Sequence, residues 1–435
     1  MIEAGGRWRN WGRSQVSHPE FVSKAGSVDE VIATLAFARE RGLTVKPVGA
    51  GHSFTAIAAT DGVQLDIAGL DGVLAVNGEL VTLGAGTNLY QLPALLGEHH
   101  LALENMGDID RQTVAGAVST GTHGTGAAFG GIATQVEALT LVTADGGILR
   151  ISPTENAELL PAARVGLGAL GVLVDVTLRC VPDFVMHAVE TPEPIDAVID
   201  DWMPRATDPD HFEFYWFPHT TAALTKTNTR MPAGTPRKPQ GRLAAWVDDE
   251  LLPNGLYVLM CRLGMIAPGI TPGMNRLSNK AVAAREITDG WHEVFTSPRR
   301  VRFREMEYNL PVEAVPSAFR AVRKLIDDRG WRITFPIEVR VTAADDNWLS
   351  TAQGRQSGYI AVHRYYREDP TEYFREVEAI MRAHDGRPHW GKMHNRTAAD
   401  LRPAYARFDD FLAVRDRLDP DRLFANEYLT RVLGL

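Results

Sequence analysis

A glycine-rich turn directly after a predicted strand is the first feature of this chain that could carry chemistry. Residues 49–54 read Gly-Ala-Gly-His-Ser-Phe, and the apolar residues at 43–48 predict the strand before them. Glycines in such a turn let backbone N–H groups point towards an anion. The spacing differs from the three-glycine nicotinamide-binding fingerprint and from a P-loop. A tight turn with an incidental histidine is the alternative interpretation.

The second feature is a run of small residues at 113–126, which reads Thr-Val-Ala-Gly-Ala-Val-Ser-Thr-Gly-Thr-His-Gly-Thr-Gly. Small side chains let a ligand approach the backbone closely, and the hydroxyl groups add hydrogen-bond donors. Together with the turn at 49–54, this run favours a binding site for a long, phosphate-bearing ligand. A glycine-rich loop without a ligand is the alternative.

Two further features carry charge. Glu338 and Arg340 lie two residues apart in a predicted strand at 332–342, so their side chains share one face while the other face is apolar. A surface ion pair is the ordinary interpretation of such a pair. Residues 389–394 read His-Trp-Gly-Lys-Met-His. Their two histidines could bind a metal ion, but no carboxylate or cysteine stands at a matching spacing, so we expect no metal.

The composition excludes several classes of protein. The chain has 435 residues, a formal net charge of −9, 45% hydrophobic and 23% charged residues, so it is globular and lacks a basic footprint for nucleic acid. Cys180 and Cys261 are too few for a disulfide scaffold. The first 13 residues contain no apolar targeting core, and the most apolar window, 251–270, is broken by prolines and polar residues. We expect a cytoplasmic protein, with peripheral membrane contact left open.

Helix and strand patterns alternate in the first part of the chain, and the composition shifts at about residue 183. The length gives a prior of two to three domains. An Asp-Gly-Gly turn at 145–147 predicts a hairpin between strands at 139–142 and 148–151. The other clear patterns predict helices at 27–41, 89–99, 315–329, 371–384 and 405–418, and strands at 172–181, 212–218, 332–342 and 359–366.

In the order and spacing of these features, the chain resembles the aldonolactone oxidoreductases of the vanillyl-alcohol-oxidase flavoprotein superfamily. These are the L-gulono-1,4-lactone oxidases and dehydrogenases and the D-arabinono-1,4-lactone oxidases. The resemblance runs from about residue 10 to the C-terminus and is thinnest at 225–295. The residues that carry it are Val-Gly-Ala-Gly-His-Ser at 48–53, Thr-Asp-Gly at 60–62, Leu-Glu-Asn-Met-Gly-Asp at 103–108, Gly-Thr-His-Gly-Thr-Gly at 121–126, Ala-Arg-Val-Gly-Leu-Gly-Ala-Leu-Gly-Val at 163–172, Pro-Ile-Glu-Val-Arg at 336–340, Gly-Arg-Pro-His-Trp-Gly-Lys-Met-His at 386–394 and Leu-Asp-Pro at 418–420.

The resemblance implies an α+β fold of the two-domain vanillyl-alcohol-oxidase type. Residues 1–183 would form an FAD-binding domain of two α/β lobes. Residues 184–383 would form a cap domain with an antiparallel sheet flanked by helices, and residues 384–435 would return to the FAD domain. The active site would lie at the junction of the two domains, where ligand sites are common.

The resemblance also implies FAD bound covalently through His52, which stands where this family bonds a histidine to the flavin 8α carbon. The pyrophosphate would lie over residues 48–53 and the loop at 116–122, and Leu173 would lie at the edge of the cofactor. The cofactor-binding residues implied in this way are Val48, Gly49, Ala50, Gly51, His52, Ser53, Gly107, Asp108, Thr113, Gly116, Ser119, Thr120, Gly121, Thr122 and Leu173.

The implied reaction is oxidation of a sugar 1,4-lactone of the L-gulono type at C2, with hydride transfer to flavin N5 and a place in ascorbate biosynthesis. Glu338 would accept the C2 hydroxyl proton or orient that hydroxyl, and Arg340 would keep Glu338 ionised and position the lactone. Lys392 would stabilise the anionic reduced flavin near N1. The implied substrate-binding residues are Asp108, Glu338, Arg340, His363, Tyr365, Lys392 and His394.

The electron acceptor depends on Gly107. In this family glycine at that position is associated with access of oxygen and alanine with its exclusion, so we expect an oxidase that produces hydrogen peroxide. A dehydrogenase that passes electrons to a quinone or cytochrome is one alternative. An alditol oxidase is another, but that subfamily typically has Ala-Ser at 107–108 and lacks the histidine at 394. An inactive flavin carrier would be expected to lack Glu338, Arg340 or Lys392, and all three are present.

Overall fold

A four-stranded sheet begins the fold of the computed structural model. The helix Val28–Glu40 connects two of its strands, and Ser27 caps that helix by accepting a hydrogen bond from the Glu30 N–H. The predicted helix at 27–41 is therefore confirmed.

The structure describes residues 2–241, 257–281, 283–297 and 301–434. In spatial order the strands are Ile2–Ala4, Phe21–Lys24, Val63–Asp66 and Val45–Val48, with the last three parallel to one another.

A five-stranded antiparallel sheet follows. The predicted hairpin forms its edge, with Leu139 opposite Ile151 and Val142 opposite Ile148. In spatial order the strands are Ile148–Ile151, Val136–Val142, Val172–Arg179, Leu80–Gly84 and Val73–Asn77. Two short ladders pair Val181–Pro182 with Leu101–Ala102 and Trp8–Arg9 with Val16–Ser17.

The largest sheet has eight antiparallel strands among the described residues. Every residue of its strand Ile337–Thr342, which carries Glu338 and Arg340, is buried. In spatial order the strands are Arg285–Gly290, Phe184–Pro194, Ala222–Pro232, His211–Trp216, Ile337–Thr342, Ser357–Tyr365, Phe303–Pro311 and Arg387–Pro388.

Helices cover the sheets. Helix Val315–Arg329 buries Phe319, Val322 and Ile326 at helical spacing against the eight-stranded sheet, as its sequence pattern predicts. The remaining α-helices are Leu92–Gly97, Val114–Thr120, Leu160–Ala163, Ile195–Asp200, Trp202–Thr207, Tyr257–Ile266, Thr271–Ala281, Trp291–Phe295, Thr371–Ala383, Ala398–Leu401, Phe408–Leu418 and Glu427–Leu433.

Two large hydrophobic cores hold these layers together. The first combines buried side chains of residues 25–188 with others from 291–295, 348–349 and 390–433. The second combines side chains of residues 195–381 with Ala127. The end of the chain thus packs on the beginning, and the Val45 N–H donates to the Leu423 carbonyl oxygen at 2.8 Å.

Several predicted elements differ in extent. The strand predicted at 332–342 begins at Ile337, because Pro336 has no N–H to donate to a ladder. The helix predicted at 89–99 is a 3₁₀ turn, Leu89–Gln91, followed by Leu92–Gly97. The helix predicted at 405–418 begins at Phe408.

The expected loop at 116–122 is wrong, since most of it lies in the helix Val114–Thr120. Thr113 caps this helix by accepting from the Gly116 N–H, and Gly121 ends it at a φ of 74°. Glycine, serine, threonine and valine are weak helix formers, but the caps at both ends satisfy the free backbone groups of this short helix.

The apolar window at 251–270 falls only partly within the described residues. Residues 251–256 lie outside them, and the rest form the helix Tyr257–Ile266 and the 3₁₀ turn Pro268–Ile270. Within the described ranges, no helix is long and apolar enough to cross a membrane.

Candidate active site

The glycine-rich turn and the helix Val114–Thr120 form two sides of a long groove. A Cβ added at Gly49 would lie 2.3 Å from Thr113 Oγ1, and Gly51 has a φ of +67°. A larger residue at Gly49 would therefore force the turn away from Thr113, and one at Gly51 would strain the backbone. The groove encloses about 950 Å³ including its open mouth, and residues 163–173 form its third side.

A buried lysine links this groove to the C-terminal segment. Lys46 Nζ donates to the Gly168 carbonyl oxygen at 3.2 Å and to the Phe424 carbonyl oxygen at 3.1 Å. Burial lowers the pKa of Lys46 to about 7, although Asp419 opposes the shift. Lys46 thus positions the third side of the groove from within the protein. The sequence does not predict that Lys46 is buried and contacts two carbonyl groups, because lysine is rarely buried.

His52 lies where the groove meets a second cavity, and it lines both. Burial lowers the pKa of His52 to about 4, and the positive charges of Lys392 and Arg111 add to the effect. The imidazole is therefore neutral near pH 7 and has a free electron pair for an electrophilic carbon. Trp11 stacks on the ring at a centroid distance of 5.4 Å and limits its rotation.

The second cavity, about 590 Å³ including its open mouth, is lined by Arg340 and Asp108. Arg340 Nε donates to Glu213 Oε2 at 2.9 Å, and its terminal nitrogen lies 3.4 Å from Asp108 Oδ1. The same nitrogen forms an ion pair with Glu338. Lys226 Nζ lies 3.6 Å from the other oxygen of Glu213. Three carboxylates and two cations therefore form one network, most of it buried.

The charges in this network leave Glu338 able to titrate near neutral pH. Burial raises the pKa of Glu338 to about 7; Arg340 opposes this shift, while Asp108 and Glu213 add to it. Arg340 thus opposes the effect of burial on Glu338, and its expected role in keeping that carboxyl group ionised stays a prediction. Burial would also raise the pKa of Glu213, but Arg340 and Lys226 hold it below its usual value. A carboxyl group that titrates near pH 7 is well suited to accept a proton.

Lys392 contributes a permanent positive charge to the second cavity. Its ammonium pairs with buried Glu305. Burial favours the neutral amine, but Glu305 and Glu307 raise the pKa of Lys392. The loop that carries Lys392 is attached to the glycine-rich turn, since the Phe54 N–H donates to the Gly391 carbonyl oxygen at 2.7 Å. This charge is therefore positioned beside the turn that carries His52.

A second group of acids and bases lines the same cavity. His123, Glu307 and His389 have potential ligand atoms within 4.8 Å of one another, an arrangement that could hold a metal ion. However, His389 Nδ1 accepts from the Gly391 N–H at 3.0 Å, so its neutral ring carries the proton on Nε2 and has no free electron pair. Burial lowers the pKa of His389 to about 3, which favours this neutral form. The expectation of no metal stays a prediction.

Most of the predicted cofactor residues line one of the two cavities. Val48 and Gly121 line neither. Gly107, Asp108 and Thr122 line the second cavity. Those that line the groove are Gly49, Ala50, Gly51, His52, Ser53, Thr113, Gly116, Ser119, Thr120 and Leu173.

Three of the predicted substrate residues, His363, Tyr365 and His394, do not line the second cavity. His363 is buried behind the network, with Nδ1 3.0 Å from the Pro336 carbonyl oxygen. Tyr365 is buried in an apolar cluster with Phe335. His394 is buried in the C-terminal region, where Nε2 lies 2.9 Å from the Tyr428 hydroxyl and Nδ1 accepts from the Arg396 N–H. Its position does not support contact with a substrate, because both ring nitrogens are engaged by the protein.

Sequence reasoning missed several charged residues of the site. Glu213 lies among aromatic residues in the predicted strand at 212–218, and His123 belongs to the small-residue run at 113–126; no role was assigned to either residue from the sequence. Glu305 and Glu307 alternate with apolar residues in the strand Phe303–Pro311. This is the same spacing that drew attention to Glu338 and Arg340, so it could have revealed them.

Comparisons with known proteins agree with this geometry. Residues 176–432 match the family model of D-arabinono-1,4-lactone oxidase, and residues 19–152 match that of an FAD binding domain. The chain is 44% identical to the L-gulono-1,4-lactone dehydrogenase of Mycobacterium tuberculosis, over 98% of this chain and 99% of that protein. It is 35% identical to the L-gulonolactone oxidase of Bos taurus, over 98% of each chain. The solved structure of cholesterol oxidase from B. sterolicum covers the whole chain with a TM-score of 0.84 at 18% identity, and 97% of its own chain is matched.

The family models and the relatives define an FAD-dependent oxidoreductase. The solved structure shares its fold, so the expected α+β fold with an antiparallel sheet is confirmed. The resemblance in the motifs is confirmed as well. The chain belongs to the D-arabinono-1,4-lactone oxidase family.

Proposed function

We propose that this chain oxidises a sugar 1,4-lactone of the L-gulono type at C2, with FAD as its cofactor. The observation that carries this proposal is that Arg340 and Asp108 line the cavity next to the glycine-walled groove, and that Arg340 pairs there with the buried carboxyl group of Glu338. The groove suits a dinucleotide, and the network offers a proton acceptor beside a cation. The names of the relatives in Mycobacterium and Bos support a lactone as the substrate.

The residues of the groove fit FAD. Gly49 and Gly51 keep the backbone of the turn open, and Thr113 and Ser119 line the same space. When bound, FAD supplies the acceptor for the hydride that leaves the substrate carbon. We infer that neutral His52 holds the flavin through a covalent bond, because it lies at the junction where the groove opens into the second cavity.

The protein's own residues then have separate tasks. Ionised Glu338 accepts the proton of the C2 hydroxyl. Arg340 and Asp108 bind the polar edge of the lactone, and Glu213 orients Arg340. Lys392 provides the fixed positive charge that favours negative charge developing nearby. No metal ion takes part in this proposal.

We further propose the domain division of 1–183, 184–383 and 384–435. The two hydrophobic cores support it, because the first includes residues near both ends of the chain and the second lies almost entirely between 195 and 381. The active site then lies between the two domains. A reducing cytoplasmic location, with a place in ascorbate biosynthesis, is consistent with Cys180 and Cys261, which are both buried and free.

For the electron acceptor we propose oxygen, with hydrogen peroxide as product. Gly107 lines the second cavity and has no Cβ to narrow it. The relatives differ on this point, since one is named a dehydrogenase and the other an oxidase. A quinone or a cytochrome is the alternative acceptor.

Anaerobic stopped-flow mixing of the FAD-loaded protein with individual sugars tests the proposal. We expect 1,4-lactones to bleach the flavin absorbance and alditols of the same chain length to leave it unchanged. Bleaching by alditols alone would make the chain an alditol oxidase. No bleaching by any sugar, with flavin still reducible by dithionite, would contradict both activities.

A further inference from the structure

The cavity segment, residues 107–112, carries Asp108 into the second cavity without a regular backbone structure of its own. It belongs to no helix and no strand, so contacts from outside the segment must fix its course. Asp108 and Ile109 line the second cavity, whereas Asp110 does not. The position of the Asp108 carboxylate therefore depends on how the cavity segment is attached to the rest of the protein.

The cavity segment is attached to two different parts of the chain. The N–H groups of Leu89 and Tyr90 donate to carbonyl oxygens in its later half, each at 2.9 Å. In its earlier half, the Asp108 carbonyl oxygen accepts from the Ser297 N–H at 3.1 Å. The half that carries the Asp108 carboxylate is thus held by a residue almost two hundred positions further along the chain.

A side-chain hydrogen bond adds to this distant attachment. His292 Nε2 lies 3.1 Å from Asp110 Oδ2, although the two residues are 182 positions apart. Burial alone would raise the pKa of Asp110, but the hydrogen bond from His292 and the positive charge of Arg111 hold it below its usual value. Because an ionised carboxylate only accepts, His292 Nε2 carries the proton of this bond. Both side chains are only 18% exposed, so water competes weakly for the bond.

His292 lies on the helix Trp291–Phe295, which also contacts the charge network of the site. Three of the five side chains of this helix are buried, so its position is fixed by packing. Lys226 Nζ donates to the Val294 carbonyl oxygen at 2.8 Å. The same ammonium lies 3.6 Å from Glu213 Oε1. One helix thus contacts both the cavity segment and the cation beside Glu213.

We propose that Asp110 and His292 are positioning residues that hold Asp108 beside Arg340, where the polar edge of the lactone binds. Asp108 Oδ1 lies 3.4 Å from the terminal nitrogen of Arg340, so a small shift of the cavity segment separates the two groups. Loss of the bond between Asp110 and His292 would permit such a shift and weaken the binding of the lactone. This inference rests on the proposed function, which supplies the lactone that Asp108 and Arg340 bind.

Stopped-flow reduction of the FAD-loaded protein, at a pH above the inflection expected for Glu338, tests the proposal. In Asp110→Ala and in His292→Leu the apparent dissociation constant of the lactone should rise about tenfold, as for a lost hydrogen bond to a charged group. The limiting rate of reduction should change little, because Glu338 still accepts the proton. His292→Gln should restore binding, since its Nε2 can still donate to Asp110. The double variant Asp110→Ala with His292→Leu should be no worse than the poorer single variant.

Hydrogen exchange gives a second measurement that does not require turnover. The backbone amides of the cavity segment should exchange faster in Asp110→Ala and His292→Leu than in the parent, and at the parent rate in His292→Gln. Unaltered exchange in the first two variants, or faster exchange with unaltered lactone binding, would overturn the proposal. If no lactone reduces the parent while exchange follows the expected pattern, the proposed function fails but the attachment of the cavity segment is confirmed.

His187 is the matched control. Its Nδ1 lies 2.9 Å from Thr288 Oγ1, in the strand Arg285–Gly290 that leads into the same helix. His187→Leu should lower the melting temperature without changing lactone binding or the exchange of the cavity segment. Equal loss of lactone binding in His187→Leu and His292→Leu would overturn the proposal, because the effect would then be a general loosening of this region.

Discussion

Arg340 Nε donates a hydrogen bond to Glu213 Oε2 at 2.9 Å, between two neighbouring strands of the eight-stranded sheet. Glu213 is buried and lies behind the cavity, with Lys226 on its other side. The bond fixes the direction of the guanidinium, whose terminal nitrogen then reaches both Asp108 and Glu338. Glu213 is thus a positioning residue that acts through Arg340.

Replacement of this positioning residue should move a pH profile. In Glu213→Gln, one negative charge near Glu338 disappears, so the pKa of Glu338 should fall by roughly one unit. The pH dependence of flavin reduction by lactone should shift to lower pH by the same amount, and the lactone KM should rise. Glu190 is the matched control, because it is a buried carboxylate paired with Arg285 in the same sheet. Glu190→Gln should lower stability without moving the profile; a shift of equal size in both variants would make Glu213 merely structural.

The titration of Glu338 itself predicts how the rate depends on pH. Its pKa is about 7 in the folded protein, so the ionised form that accepts a proton grows as the pH rises through 7. Flavin reduction under lactone-limiting conditions should rise over this range and then level off. Glu338→Gln should lower the rate about 10²- to 10⁴-fold and abolish the inflection. An inflection retained in that variant would assign the titration to another group.

The same raised pKa has a consequence for stability. The folded protein holds the Glu338 proton more tightly than the unfolded chain, whose glutamate pKa is about 4.5. Stability supplied by this group is therefore present at low pH and lost as the pH rises from about 4.5 to 7. The melting temperature of Glu338→Gln, relative to the parent, should increase between acidic and alkaline buffers. A constant difference would show that folding does not raise the pKa of Glu338.

Lys392 can be tested together with its partner. Lys392→Met should slow flavin reduction and weaken addition of sulfite to the flavin, because both produce negative charge that the ammonium would stabilise. It should also destabilise the protein by about 3–5 kcal/mol, since Glu305 is left as a buried carboxylate without its cation. The double variant Lys392→Met with Glu305→Gln should recover the melting temperature but not the sulfite affinity. Normal sulfite affinity in either variant would place the lysine away from the developing charge.

The proposed covalent bond between His52 and the flavin predicts a property of the denatured protein. After acid precipitation the pellet should stay yellow, and the tryptic peptide that contains His52 should carry the mass of the flavin. In His52→Ala the colour should move to the supernatant while the groove still binds FAD. Flavin released entirely from the parent protein would mean that the neutral imidazole only packs against the cofactor.

Access of oxygen is tested at Gly107. A Cβ at this position would lie 2.9 Å from the His123 carbonyl oxygen, so Gly107→Ala both fills the cavity wall and displaces it slightly. We expect rapid reoxidation of the reduced parent protein in air and a large slowing in the variant, with reduction by lactone little changed. The melting temperature checks that the displacement is local. Slow reoxidation of the parent would make the chain a dehydrogenase for a quinone or cytochrome.

Helices and hairpins whose caps, turns and hydrophobic spacing all lie close together in the sequence were predictable. The cap at Ser27 with helical spacing behind it, and the Asp-Gly-Gly turn at 145–147, each specify an element within a dozen residues. The same holds for part of the site, because the two-residue spacing of Glu338 and Arg340 in a strand places them on one face without knowledge of the neighbours. The first and last residues of helices and strands were harder to predict. Pro336 precedes the start of a strand and Gly121 ends a helix, and neither boundary follows from the local sequence pattern alone.

The charge network needed the folded chain. Glu213 and Arg340 are 127 positions apart, and Lys392 and Glu305 are 87 apart, so their pairing depends on the order and register of strands in the sheet. The pKa of Glu338 depends on burial and on the carboxylates that share Arg340, and neither is visible in a linear pattern. His394 shows the converse, since its motif suggested a substrate contact but the fold directs it to Tyr428. Residue type and spacing determine which groups are available for chemistry, whereas distance and desolvation, which set the strength of every electrostatic interaction, arise only when distant segments pack together.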